Sequence, residues 1–185
     1  MYLILLRHAE TEENRNGIVQ GQHPGRVSEL GKSQIETVVN KLKNETIDAI
    51  YSSDLKRCTD TAEPLHQIFS PIPYKLSPEL REFNYGKFQG LPLGKLINLV
   101  PKFSFILHFK LPGGESYNQV RTRLINFLNQ LYKLYPNGTV LLVTHGGPIR
   151  ITRLMLDKKI KPMTTQKINN CSIWQLTMTK PIKIS

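Results

Sequence analysis

Two histidines, two arginines and a glutamate each follow a short apolar run, at the points where a strand would hand over to a loop or helix. The first run, residues 1–6, ends on Arg7-His8. An all-apolar segment of that length forms a buried strand, and a parallel strand delivers its last residues to the carboxyl edge of the sheet, where α/β folds place their sites. There an arginine can grip phosphate oxygens with its planar fork, and an imidazole can act as a nucleophile. A solvated strand end is the competing reading of the pair. Three other segments weigh against it. Leu142-Val143-Thr144-His145-Gly146-Gly147 is a second run ending in histidine, and its glycines let backbone N–H groups approach an anion. Arg57 follows Tyr51-Ser52-Ser53-Asp54 in the first turn of a helix, and Leu80-Arg81-Glu82 brings a carboxyl group to the same edge. Alone each segment is weak; their shared placement at strand ends points to one oxyanion site.

The elements that must position these groups alternate. Residues 2–6, 48–51, 73–76, 140–144 and 172–177 read as strands. Ser28 is placed to cap a helix ending at Leu42, with Ile35, Val38, Val39 and Leu42 on one stripe. Asp54 is the expected cap of a second helix reaching Phe69, which Pro64 should end or kink. Val120, Leu124, Phe127, Leu128 and Leu131 recur at helical spacing within 115–135, and a last helix should run from Pro148 to Leu156. Alternation of this kind implies an α/β fold, with a mostly parallel sheet between two helical layers. No repeat or linker interrupts it, so residues 1–185 read as one domain. The stretch 91–114 differs: Pro92, Pro101, Pro112 and Gly113-Gly114 break it up, and Phe103, Phe105 and Phe109 make it apolar. It reads as a lid over the site or as a satellite hydrophobic cluster.

A chain of 185 residues with a formal charge of +11 can attract nucleic acid, an anionic membrane or a small phosphorylated substrate. Its lysines are dispersed, and no arginine-rich block or aromatic RNA-binding motif accompanies them, so the small substrate is the expected partner. No apolar segment is long enough for a membrane span, and Cys58 and Cys171 lack metal-type spacing, which fits two thiols of a cytoplasmic protein. Nor does a carboxylate or cysteine join the histidines at zinc-ligand spacing, so no metal is expected.

Taken in order, several blocks resemble the histidine phosphatase superfamily and its phosphoglycerate-mutase-like fold, a three-layer α/β/α arrangement. They are Arg7-His8-Ala9-Glu10-Thr11 with Asn14 and Gln20-Gly21, Ser52-Ser53-Asp54-Leu55 with Arg57 and Thr61-Ala62, and Leu80-Arg81-Glu82 with Gly86 and Gly90. Pro112-Gly113-Gly114-Glu115-Ser116 and Val143-Thr144-His145-Gly146-Gly147 complete the set. The resemblance implies that His8 takes the phosphoryl group and that Arg7, Arg57 and His145 hold its equatorial oxygens. Asn14, Gln20, Gly21 and Gly146 would complete the pocket, and Glu82 would protonate the leaving oxygen and then activate water. It also implies a metal-independent phosphomonoester hydrolase without a cofactor, acting on small phosphorylated metabolites. A cofactor-dependent phosphoglycerate mutase is the alternative, disfavoured because residues 91–110 hold no arginine and Gln20-Gly21 is more like the phosphatase branch. A silent phospho-ligand or nucleic-acid binder is disfavoured further, since every catalytic residue type is present. Monomer and homodimer both stay open. The chain departs from the common pattern at Ala9, where glycine is frequent, and at Gln89, where glutamate is. Alanine would cost roughly 1 kcal/mol if that backbone needs a positive φ. The aspartate and proline usual before the first helix are missing from residues 22–28, and His23 and Arg26 there read as substrate-facing or as ordinary loop residues, the second reading favoured.

Overall fold

The structure, a computed structural model, describes residues 1–95, 110–157, 159 and 167–183. The centre of the 91–114 stretch, and with it the lid reading, lies outside them. The strands are β1 (Tyr2–Arg7), β2 (Ala49–Ser52), β3 (Tyr74–Leu76), β4 (Thr139–Thr144) and β5 (Ile173–Thr177). The helices are α1 (Glu12–Arg15), α2 (Glu29–Leu42), α3 (Lys56–Phe69), α4 (Tyr117–Leu134) and α5 (Gly146–Leu156).

The strands form one sheet in the order β3-β2-β4-β1-β5, parallel except for β5, which runs antiparallel to β1. Side chains alternate between the faces of a strand, and the apolar runs use both. Leu3 and Leu5 of β1 join Val140 and Leu142 of β4 in a core with Leu124, Leu128 and Leu131 of α4 and Ile149 of α5. Ile4 and Leu6 join Leu141 and Val143 in the opposite core, with Val38 and Leu42 of α2 and Ala62 and Leu65 of α3. Continuous rather than alternating hydrophobicity thus follows from a helical layer on each side.

Register decides where the polar ends fall. Arg7 lies opposite Thr144 and Ser52 opposite Val143, so His8, His145 and Ser53, each the next residue, arrive together at one edge. The antiparallel β5 begins at that edge, bringing residues 168–172 to the same place.

Helix starts follow local chemistry. Ser28 caps α2 through its Oγ, which accepts from the Gly31 N–H at 3.0 Å, and Ser116 with Gln119 forms a capping box on α4. Thr11 and Asn14 make another on α1, a single turn too short to show periodicity. The expected Asp54 cap is corrected: α3 starts from Leu55 without a side-chain cap, because the Asp54 carboxylate faces Arg81 instead, 2.6 Å from Nε. Nor does Pro64 end α3, which runs on to Phe69.

Leu128 is fully buried between α4 and the sheet. Leu128→Ala should lower stability by about 3 kcal/mol, read as an earlier urea midpoint at unchanged m-value.

Candidate active site

His8 is 3% exposed, and its Nδ1 lies 2.7 Å from the Ala9 carbonyl oxygen. A carbonyl can only accept, so Nδ1 carries the ring proton and Nε2 keeps a lone pair. Burial, with the nearby charges of Arg57 and Arg7, holds the imidazole well below its usual pKa of 6.5. The ring is therefore neutral at physiological pH. Ala9 itself has an ordinary backbone, since Cys171 is the one non-glycine residue at positive φ among the described residues; the feared strain is absent. The Ala9 N–H donates to Thr61 Oγ1 at 3.0 Å, tying the loop after His8 to α3.

His145 stands 5.1 Å from His8, centroid to centroid, and is also fully buried and held well below its usual pKa, first by burial and then by Arg57. Its Nε2 is 2.9 Å from Ser53 Oγ, which already accepts from the Leu55 N–H. The buried hydroxyl proton needs an acceptor, and Nε2 is the good one within reach. That assigns the histidine's proton to Nδ1 and makes the neutral ring a donor through that atom. Cys58 packs against the same ring, 3.3 Å from Nε2, and burial pushes its thiol up to about 12, so it stays protonated and gives its S–H to the Thr144 carbonyl.

Both arginines are anchored by backbone carbonyls. Arg57, 1% exposed, donates to Gly21 O at 2.6 Å and His23 O at 2.7 Å. Arg7 donates to Ile168 O. In each the buried Nε has no partner. Two guanidinium groups with unspent donors beside two neutral imidazoles suit an anion with several oxygens, and α5 adds the N–H of its first residue, Gly146.

Glu82 sits across from the imidazoles. Its Oε1 accepts from the Phe83 N–H at 2.9 Å and its Oε2 from the Gly147 N–H at 3.2 Å. A Cβ on Gly146 would lie 3.9 Å from Arg7 Nε and 4.0 Å from Glu82 Oε2, which puts carboxylate and guanidinium both close to that residue. The acid's loop is pinned from below: Arg123 of α4 donates to the carbonyls of Glu79, Arg81 and Glu82 and pairs with Glu115. Thr144 Oγ1 adds a bond to Leu80 O.

The structure thus gathers Arg7, His8, Arg57, Glu82, His145 and Gly146 at one edge. Gly21 contributes a carbonyl to Arg57, and Gln20 is buried with its Oε1 unpartnered. Asn14 joins the pocket through Asn170, whose Nδ2 reaches both the His8 carbonyl and Asn14 Oδ1. Sequence reasoning missed Asn170 altogether; the signal is its place just before an antiparallel strand, and the strand's direction is not visible in one sequence. Ser53 and Arg123 were likewise given no role. Gln89 proves to be a loop tie, its Oε1 accepting from Gln22 N at 2.7 Å and Tyr85 N at 3.3 Å. His23 and Arg26 have exposed side chains, as ordinary loop residues do.

These features define a phosphoryl-binding α/β domain of a familiar type. The chain belongs to the histidine phosphatase superfamily, branch 1, whose profile matches residues 3–181. It is 35% identical over 162 residues to a metal-independent phosphoserine phosphatase of Arabidopsis thaliana, covering 83% of this chain and 68% of the relative. With phosphoserine phosphatase 1 of Hydrogenobacter thermophilus it shares 34% over 154 residues, 80% of this chain and 72% of that one. Among solved structures, a mycobacterial glucosyl-3-phosphoglycerate phosphatase complexed with VO3 superposes with a TM-score of 0.82 at 29% identity, covering 95% of this chain and 92% of that one.

A Cβ on Gly147 would lie 2.2 Å from Glu82 Oε1 and 2.7 Å from Phe83 Cδ2. Gly147→Ala should therefore push the carboxyl group out of place and lower kcat for an aryl phosphate about 100-fold, while vanadate affinity stays near wild type.

Proposed function

We propose that this protein is a metal-independent phosphatase of small phosphorylated metabolites that works through a phosphohistidine. The observation that carries the reading is the neutral His8, its Nε2 lone pair free, beside two guanidinium groups whose Nε atoms are buried without a partner. The lone pair of Nε2 attacks phosphorus as the bond to the ester oxygen breaks. Glu82, as the general acid, gives a proton to that oxygen, and the alcohol leaves. As carboxylate it then takes a proton from water, whose oxygen attacks phosphorus and breaks the N–P bond, releasing inorganic phosphate. Arg7, Arg57, His145, Asn14 and the Gly146 N–H meet the charge on the three equatorial oxygens; Gln20 and Gly21 shape the wall behind Arg57. No metal or cofactor enters.

For substrate class, the named relatives share a feature: phosphoserine and glucosyl-3-phosphoglycerate are both phosphate esters of three-carbon acids, the second carrying a glucosyl group. We assign this chain a phosphorylated small acid of that kind, and the formal charge of +11 favours its approach. The two free thiols suit a reducing cytoplasm. The test is a panel of phosphorylated metabolites including phosphoserine and 3-phosphoglycerate, assayed for phosphate release in excess chelator. Turnover should persist there and vanish in His8→Ala, and a denaturing quench at alkaline pH should trap a base-stable, acid-labile label on the wild type. Acid-stable label or an active His8→Ala would sink the mechanism; transfer to phosphoglycerate in preference to water would favour a mutase.

Only neutral His8 can attack, and its pKa lies well below 6.5. Activity should rise with pH as His8 loses its proton. The acid limb of kcat/KM, corrected for substrate ionisation, should therefore fall below pH 6.5, whereas a limb at or above that value contradicts the assignment.

A further inference from the structure

We infer that Asn170 is a positioning residue of the phosphate pocket, fixing the side-chain amide of Asn14 so that Asn14 offers its NH2 group to the phosphoryl oxygens. The inference rests on the phosphatase reading and adds to it a residue from the far end of the chain.

The argument is one of donors and acceptors. The His8 carbonyl can only accept, so the Asn170 atom 3.0 Å from it is Nδ2. That nitrogen has two protons, and its other neighbour, at 3.1 Å, is the Asn14 side chain. The Asn14 atom facing it must be Oδ1. The Thr11 N–H, also a donor, points to the same oxygen at 3.3 Å. Both lone pairs of Oδ1 are thereby used, and the amide nitrogen of Asn14 is left on the opposite side of the carboxamide. Turning Asn14 over would set its NH2 against two donors. Asn orientation, ordinarily ambiguous, is here forced by a chain of partners that begins at a backbone carbonyl.

Asn170 can do this because of how β5 enters the sheet. Antiparallel pairing of Ile173 with Leu6 starts the strand at the site edge, and Cys171, in a left-handed conformation at φ 53°, turns the chain there. The Cys171 N–H donates to Arg7 O at 3.1 Å and His8 O at 3.3 Å. The turn therefore holds the nucleophile's backbone and orients the pocket's amide together.

A double-mutant cycle read by vanadate inhibition separates this role from general support, with wild type, Asn14→Ala, Asn170→Ala and the double variant compared by inhibition constant, kcat and KM. Asn170→Ala should weaken vanadate about tenfold in the wild-type background, the scale of a hydrogen bond to a charged group, and by less than about twofold once Asn14 is gone. Equal losses in both backgrounds, or no loss in either, overturn the proposal. Asn170→Asp keeps the side chain's size and serves where the alanine variant fails to fold. Its carboxylate repels Asn14 Oδ1, so it must bind vanadate at least as weakly as Asn170→Ala, and wild-type affinity there is equally fatal. Failure of the phosphatase reading is distinguishable, because wild type would then neither release phosphate from the panel nor bind vanadate.

Discussion

Two arginines without an ion-pairing carboxylate, Arg57 buried and Arg7 half-buried, are the constraint around which this molecule is arranged. Among the described residues the ion pairs involve neither Arg7 nor Arg57. Burial lowers the pKa of both, yet guanidinium does not give up its proton in proteins. The charge must be met by dipoles, and the chain supplies carbonyls from two separated places: Gly21 and His23 in one loop, and Ile168 near the far end of the chain. Close approach is needed to deliver them. Gly21 sits at φ 54°, and a Cβ on Gly25 would meet Gln20 Oε1 at 2.2 Å and Arg57 Cδ at 3.3 Å. Carbonyls compensate a guanidinium in part, and the remainder is a standing affinity for an anion.

The same field makes the histidines what they are. Cations nearby and loss of water both favour neutral imidazole, so neither His8 nor His145 adds charge to the pocket. Their work is then set by second partners. Ala9 O keeps the His8 proton on Nδ1 and frees Nε2 for attack, while Ser53 takes up His145 Nε2 and leaves Nδ1 as a donor. In the proposed mechanism one histidine therefore accepts phosphorus and the other holds an oxygen, although the two rings are buried alike. Ser53 and Ala9 differ in one respect that matters, the direction of the hydrogen bond.

Much of this was legible in the sequence, for physical reasons. Apolar runs such as Leu3-Ile4-Leu5-Leu6 have no polar alternate residue, which demands a strand covered on both faces, and from there the carboxyl edge and its arginines and histidines follow. What escaped was decided by competition between distant groups. Asp54 is a good helix cap by type, but the Arg81 fork outbids the local N–H groups for its carboxylate. Pro64 lies in a helix that tertiary packing carries past it, with Leu65 buried on the next position. Asn170 reads as a loop residue until the direction of β5 is known.

The two halves of the site are held by different means. The phosphoryl half is built on strand ends in register, where a shift of one residue would turn every core side chain over. The acid half is a loop, fixed by Arg123 against three carbonyls and by Thr144 at a fourth. Glu82 is the point where they meet, since its carboxylate is held by N–H groups from both, Phe83 on the loop and Gly147 on α5. That junction explains why space is so tight at Gly147 and ordinary at Gly146.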